Sequence, residues 1–524
     1  MNVGLFLSRV DGAVSSTVDL DSLAKKYKDL ASVKVYDNLL SGASQKSIID
    51  EVAAKKLDGV VLAGQSPLFY KKTRNADRIF GLLREAGVNP NLIATVNMKE
   101  QVAMPHRSHP KEATAKAKVM IDVAIQKVMM SKPVELVGVT PKRRVLVIGT
   151  TVAGLFAGQG LAAMGYEVEF LDLPGREPVR AANEAVTPTL AYLQNSPRVS
   201  FVVSEITDFY GYPGNFRIAH ADGRKLRVGA VIVAIPEDAE YTDKLYPYLR
   251  LERNDNGTFM NLHADTATVE TAQPGIFMLP GADADITKVI PLADSACALV
   301  DGLLGHGDIQ HELFVSEVDE SVCGGCGTCI KTCIFGAAEL DPVTKLSSTN
   351  FKRCVGCGNC VSACPTGARE QVSATTAYLV SAIKTLASYK ASKGPKVLFL
   401  ACEGCGMPGL DYAGKKGVEY TANVLPLVVR CAGRIDTQLI LDAFREGFDG
   451  VAICKCKNDH CLNIVGNVDL DRRANLFRAV LKSRGIESER LRIFGTIECE
   501  GGYCVENTVS FMDYLKGLGG HSNG

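Results

Sequence analysis

Eight cysteines between Val322 and Ala368 restrict this chain more than any other feature. They read Cys323-x-x-Cys326-x-x-Cys329-x-x-x-Cys333, then Cys354-x-x-Cys357-x-x-Cys360-x-x-x-Cys364-Pro365. Doubled spacing of this kind is the ligand pattern of two cubane [4Fe-4S] clusters, in which the distal cysteine of each run serves the other run's cluster. On that pattern Cys323, Cys326, Cys329 and Cys364 take the first cluster, while Cys354, Cys357, Cys360 and Cys333 take the second. Gly324, Gly325, Gly327, Gly356 and Gly358 let the backbone curl so that amides face cluster sulfurs. Zinc ribbons and disulfides are the alternatives, but zinc has no need of two four-cysteine runs and disulfides have none of the Cys-Pro ending. The chain is expected to carry electrons.

The other cysteines bear on the compartment. Of 17 cysteines in 524 residues, only Cys297 precedes residue 320. Clustered Cys-x-x-Cys spacing points to metal in a reducing environment rather than to secreted disulfides. The opening MNVGLFLSRVDG has neither a basic n-region nor a long apolar h-region, so a cytoplasmic location is expected. No apolar run approaches a membrane span, which argues against direct membrane insertion. Lysine plus arginine equals aspartate plus glutamate at 58 each, leaving no net field to attract nucleic acid. With 46% hydrophobic residues the chain can build three or four domains.

The fold class expected is multidomain α/β. Residues 1–135 alternate apolar runs, Val33 to Tyr36 and Gly59 to Ala63, with helical patterns at Gln45 to Lys56, Asn75 to Ala86 and Glu112 to Met130. His106 and His109 are read as surface or packing residues more readily than as metal ligands. Residues 140–310 form a second α/β unit, 311–375 the two-cluster ferredoxin-type segment, 376–394 a helical linker, and 395–524 a third α/β unit.

In the second unit, Arg144 to Gly149 is a buried strand, a helix runs to Met164, and the next strand ends in the acid Asp172. Strand, turn, helix, strand and acid make the layout of a dinucleotide-binding fold, with Gly149, Thr151, Gly154 and Asp172 at the cofactor positions. The fold is degenerate, because Thr151 stands where the motif has its middle glycine and the backbone must approach a pyrophosphate. Gly281 and Asp283, with Asp285, follow a late strand that is similar to the ribityl-holding turn of flavoproteins, or else form an ordinary solvated turn. No complete second nucleotide domain fits before Gly307.

The third unit places cysteines repeatedly after apolar strands: Cys402 and Cys405, Cys431, Cys454 and Cys456, then Cys461. Thiolates gathered at the ends of parallel strands suit a [2Fe-2S] cluster or a zinc site. Nothing in the pattern assigns Cys499 or Cys504.

The order of parts resembles the A-type subunit of heterodisulfide reductase joined to the small iron-sulfur subunit of methyl-viologen-reducing hydrogenase. Ser66-Pro67, Ala86 to Pro90 and Asn97 to Gln101 carry the resemblance at the N-terminus, and Gly149 to Gly154 and Pro274 to Ala296 carry it in the middle. Most diagnostic are Arg430 to Asp436, Gly450-Val451, Cys456, Cys461, Gly466-Asn467 and Glu489 to Arg492. The resemblance implies that Cys402, Cys405, Cys431, Cys456 and Cys461 are the [2Fe-2S] set with one to spare, Cys454 being an addition. It also implies an electron-transfer component without a complete active site, working with the other subunits of a heterodisulfide reductase-like complex. Electrons would enter from a hydrogenase, a formate dehydrogenase or another input enzyme. Three departures stand out: Ser8 to Gly12 lacks the family's cysteine turn, Tyr210 to Arg224 is too short for its cluster insertion, and Thr150-Thr151 erode its flavin loop. A flavoenzyme holding FAD at Gly149 to Asp172 and Gly281 to Asp285, and splitting electron pairs there, is the second reading. A scaffold with a non-functional nucleotide fold is the third.

Overall fold

Short apolar runs followed by amphipathic helices give three parallel sheets in the computed structural model. It describes the chain except for residues 68–76, 176–185, 252, 255, 260–268, 272, 280–285, 391–392, 459, 462, 498–499 and 519–524. Two compact units result, one made of residues 1–134 with 314–524 and the other of residues 135–313.

In the first unit the N-terminal sheet runs Ser32–Tyr36, Val3–Ser8, Gly59–Gly64, Ile93–Asn97, all parallel. The helix Pro110–Met130 covers it with Ala113, Ala117, Ile121, Ala124 and Val128, a spacing that puts them on one helical face. It starts ahead of Glu112 because a proline in the first turn forfeits no helical hydrogen bond. This domain does not stand apart from the cysteine-rich segments. Gln126 donates to Thr385 Oγ1 at 2.7 Å from that helix to the helix Thr376–Ala387. The latter follows the strand Arg369–Gln371, which pairs antiparallel with Ser316–Val318.

A single π turn, Lys99–Ala103, meets the helix Gly406–Lys415 of the C-terminal domain. There Ser66 Oγ donates to Asp411 Oδ2 at 2.5 Å and Gln101 Nε2 to Asp411 Oδ1 at 2.7 Å. Burial pushes the Asp411 carboxyl up to about 7. His106 is buried against Lys116 and Tyr420, and burial holds its pKa down to about 2. It is a packing residue, whereas His109 precedes the helix at the surface.

The C-terminal sheet has the order Val424–Val429, Val397–Cys402, Gly450–Cys456, Leu491–Thr496, again parallel. Its first strand in sequence lies inside, with successive strands added on opposite sides. That leaves a crevice at the strand C-termini between Val397–Cys402 and Gly450–Cys456, where open sheets keep their sites.

The second unit holds the five-stranded sheet Ile276–Met278, Ala230–Val233, Arg144–Ile148, Glu167–Asp172, Val199–Val203. Between its halves in the chain lies an antiparallel meander, Ile206–Tyr212, Asn215–His220 and Lys225–Val228. Alternation of Phe209, Phe216, Ile218 and Leu226 with polar residues about Pro213-Gly214 was the available signal. Cys297 lies on the helix Ile286–Leu304, where its thiol donates to Ala157 O at 3.3 Å, and burial pushes its pKa up to about 12. It is a core thiol. Among the described residues no helix is long and apolar enough to cross a membrane.

Candidate metal centres

The cysteine runs wind around two short helical turns, Thr328–Thr332 and Asn359–Ser362. Each is entered through a left-handed glycine, Gly327 at φ 72° and Gly358 at φ 80°. That conformation aims the following amides inward, and a Cβ at Gly358 would also press on Arg434 Cδ at 2.8 Å. Replacing Gly358 with alanine is therefore expected to destabilise the unit by ~1–2 kcal/mol from backbone strain alone. A lowered thermal midpoint with retained secondary structure is the check.

Cys333, from the first run, lines one cavity with Cys354, Cys357 and Cys360 of the second. Burial pushes the Cys357 thiol up to about 12, so holding it as a thiolate calls for a cationic partner such as iron. Around the other run, Ser347 N donates to Cys323 Sγ at 3.5 Å and Ser347 Oγ lies 3.1 Å from Cys329 Sγ. Cys364 faces Cys326, which is exposed and has its pKa lowered by a hydrogen bond to Thr328. Cys333 of the first run thus sits with the thiols of the second, and Cys364 of the second lies within electrostatic reach of Cys326 of the first.

A third group occupies the crevice of the C-terminal sheet. Cys402 and Cys456 sit at the ends of adjacent strands with sulfurs 3.5 Å apart. Cys456 also touches Cys405 and Cys461, and Cys461 touches Cys431. Gly406 N donates to Cys402 Sγ at 3.2 Å and Gly433 N to Cys431 Sγ at 3.4 Å. Two helices begin here, Gly406–Lys415 and Gly466–Ser483, and a Cβ at Gly466 would run into Cys431 Sγ. Backbone donors and two positive helix ends favour thiolates over thiols, which is what a metal requires. Cys454 stays outside this group: its sulfur is 3.9 Å from that of Cys504, in an apolar cluster with Phe511 and Met512. Cys499 lies outside the described residues.

The second and third groups share one core. Cys357 and Cys431 both belong to it and influence each other electrostatically. Arg473 stands beside both thiols and donates to Gly433 O at 2.8 Å. Asn359, next to Cys360, donates to Asp469 at 3.0 Å from the same helix as Arg473. Between the first and second groups lies Arg369, described below. Neither arginine was singled out from the sequence; both letters are visible there, but their burial between thiols is not.

In the second unit Gly149 takes φ 99° and its Cβ would run into Ala234 O, while a Cβ at Gly154 would meet Gly149 O. These two glycines serve the turn and the close packing of its helix. Thr151 caps that helix: its hydroxyl accepts from Gly154 N at 3.3 Å and donates to Ala234 O at 2.9 Å. Asp172 is turned into the same loop, one carboxylate oxygen accepting from Thr150 N and the other from Thr150 Oγ1, each at 3.0 Å. The acid that would take ribose hydroxyls is thereby used internally. Gly281, Asp283 and Asp285 lie outside the described residues.

Residues 397–519 match the family model "Methyl-viologen-reducing hydrogenase, delta subunit", and residues 321–368 match "4Fe-4S dicluster domain". The D-type iron-sulfur subunit of the vhc F420-non-reducing hydrogenase of Methanococcus voltae is 37% identical over 125 residues, which is 24% of this chain and 87% of that protein. The A-type subunit of the ferredoxin:CoB-CoM heterodisulfide reductase of Methanosarcina mazei is 28% identical over 350 residues, 65% of this chain and 44% of that protein. An A-type iron-sulfur subunit of the CoB-CoM heterodisulfide reductase of Methanopyrus kandleri is 37% identical over 232 residues, 41% of this chain and 35% of that protein. The chain thus spans less than half the length of these two heterodisulfide reductase relatives.

Proposed function

Because the chain belongs through residues 397–519 to the delta-subunit family of methyl-viologen-reducing hydrogenase, and is otherwise similar to the A-type subunit of heterodisulfide reductase, we propose that it is the fixed electron relay of a cytoplasmic, multi-subunit oxidoreductase. The observation that carries this reading is the continuity of the three thiol groups. Cys431 and Cys357 belong to one buried core, and Arg369 reaches from Cys360 to Cys329.

In this reading Cys323, Cys326, Cys329 and Cys364 hold one [4Fe-4S] cluster and Cys333, Cys354, Cys357 and Cys360 the other. A [2Fe-2S] cluster takes four of Cys402, Cys405, Cys431, Cys456 and Cys461. When bound, the clusters supply one-electron carriers whose potentials follow net charge, hydrogen bonding and exposure. The chain's own residues do the rest. Cysteines and glycine amides fix position and charge, the shared apolar core excludes water, and the exposed Cys326 brings the outer cubane site to the surface. No side chain is required as acid or base. Partners are the other subunits of a heterodisulfide reductase-like complex, with a hydrogenase, a formate dehydrogenase or a similar enzyme as electron source.

The nucleotide fold takes no part in the relay as a flavin site. Thr151 fills the space of the missing glycine, and Asp172 is engaged by Thr150. Anaerobically purified protein is expected to hold about ten irons per chain, four in each cubane and two in the C-terminal cluster. Acid release is expected to yield no flavin. One FAD per chain would restore the flavoenzyme reading, and fewer than about eight irons would remove the paired cubanes.

A further inference from the structure

Arg369 follows directly on the Cys364-Pro365-Thr366-Gly367-Ala368 end of the second run and is 2% exposed. Its guanidinium donates to Thr349 Oγ1 at 2.9 Å, to Ser348 O at 2.7 Å and to Ser347 Oγ at 2.5 Å. Its Nη1 lies 3.9 Å from Cys360 Sγ. On the other side it faces Cys329, whose sulfur is 3.1 Å from the same Ser347 hydroxyl. Arg369 therefore stands between a thiol of each cubane group.

Its counter-charge is the point of interest. Arg434, the other buried arginine of this region, has two carboxylates in reach, Asp436 at 3.1 Å and Glu370 at 3.5 Å. Among the described residues Arg369 has no carboxylate ion pair. The neighbouring Glu370 is turned away to Thr376 and Arg434. A buried cation without an anion is costly. Such a residue is stable where the anion arrives with a cofactor. A cubane with its four thiolates is anionic, and each added electron deepens the charge.

We propose that Arg369 is the shared counter-ion of the two cubane sites, a positioning residue that stabilises the reduced form of both and sets their potentials together. The proposal rests on the cubane assignment above and goes beyond it by naming what tunes the pair. Arginine suits the place better than lysine, because its planar fork holds the Ser347 to Thr349 strand and still presents charge to sulfurs on either side.

The test uses the full chain with its clusters, titrated electrochemically while electron paramagnetic resonance follows each centre. The Arg369→Gln variant keeps a hydrogen-bond donor and loses the charge. Both cubane potentials are expected to fall by the equivalent of roughly tenfold in each reduction equilibrium, about 59 mV per one-electron couple. The C-terminal [2Fe-2S] potential in the same sample stays unchanged and serves as the internal reference. Arg369→Lys returns both potentials most of the way. Unchanged cubane potentials in an iron-replete Gln variant overturn the proposal and leave Arg369 a strand clamp. Should the Gln variant lose iron, the Lys variant decides. Wild-type potentials there support the charge, and shifted potentials with full iron overturn it. Fewer than about eight irons in the wild-type chain would instead sink the cubane assignment itself.

Discussion

Replacing Cys456 with alanine is expected to remove about two of about ten irons and to abolish the [2Fe-2S] resonance, leaving the cubane signals in place. Cys456 is the thiol at which the C-terminal group converges, touching Cys402, Cys405 and Cys461. It also ends the strand Gly450–Cys456 beside the crevice, where the sheet holds it in place. Cys454 is no substitute, since it is held in the separate apolar cluster with Cys504. Reduction of the cubanes by a donor that enters at the C-terminal domain should fall to background in this variant. Reduction by dithionite should be normal. The matching Cys454→Ala variant should keep all its irons. If Cys456→Ala retains the resonance and its irons, Cys456 is the one thiol of the five that the cluster does not use.

A large, pH-dependent change in stability is expected at Asp411. In the unfolded chain it is an ordinary carboxyl near 3.8, whereas burial beside Glu100 raises it to about 7 in the folded protein. Between those values the native state binds a proton that the unfolded state has lost. Stability from this group is therefore greatest at acid pH, falls as pH rises through the window, and is level above about 7. The span corresponds to roughly 4 kcal/mol as an upper figure. Asp411→Asn keeps hydrogen-bonding partners for Ser66 and Gln101 but cannot ionise. The difference in unfolding free energy between the variant and wild type should widen in the variant's favour by ~2–3 kcal/mol from about pH 5 to about pH 8. Glu100, also raised by burial, is present in both proteins and adds its own pH dependence to each. A difference that does not vary with pH would mean that Asp411 carries no proton in the folded state.

Both predictions concern residues whose neighbours come from far along the chain, and this marks where sequence reading ran short. The runs Cys323 to Cys333 and Cys354 to Cys364 were legible because metal ligation imposes fixed spacing on a local segment. The strands ending at Cys402 and Cys456 were legible because buried parallel strands are continuous apolar runs. The Rossmann-like layout was visible for the same reason, and so was the oddity of Thr151. What Thr151 does was not visible, since its hydroxyl answers to Ala234, reached only when the sheet forms. Order along the chain does not give proximity in space: residues 1–134 share a compact unit with 314–524.

The sequence by itself determined where the cysteine runs and the buried strands lie, because cysteine spacing and apolar period are local properties written in consecutive residues. Only the tertiary structure decided which charges stand between them. Asp411 meets Gln101, Cys431 and Cys357 share one core, and Arg369 stands between Cys360 and Cys329. The physical reason is that burial and electrostatic neighbourhood depend on distance through space. A buried arginine with its carboxylate, such as Arg434, and one without, such as Arg369, are the same letter until the chain has closed around them.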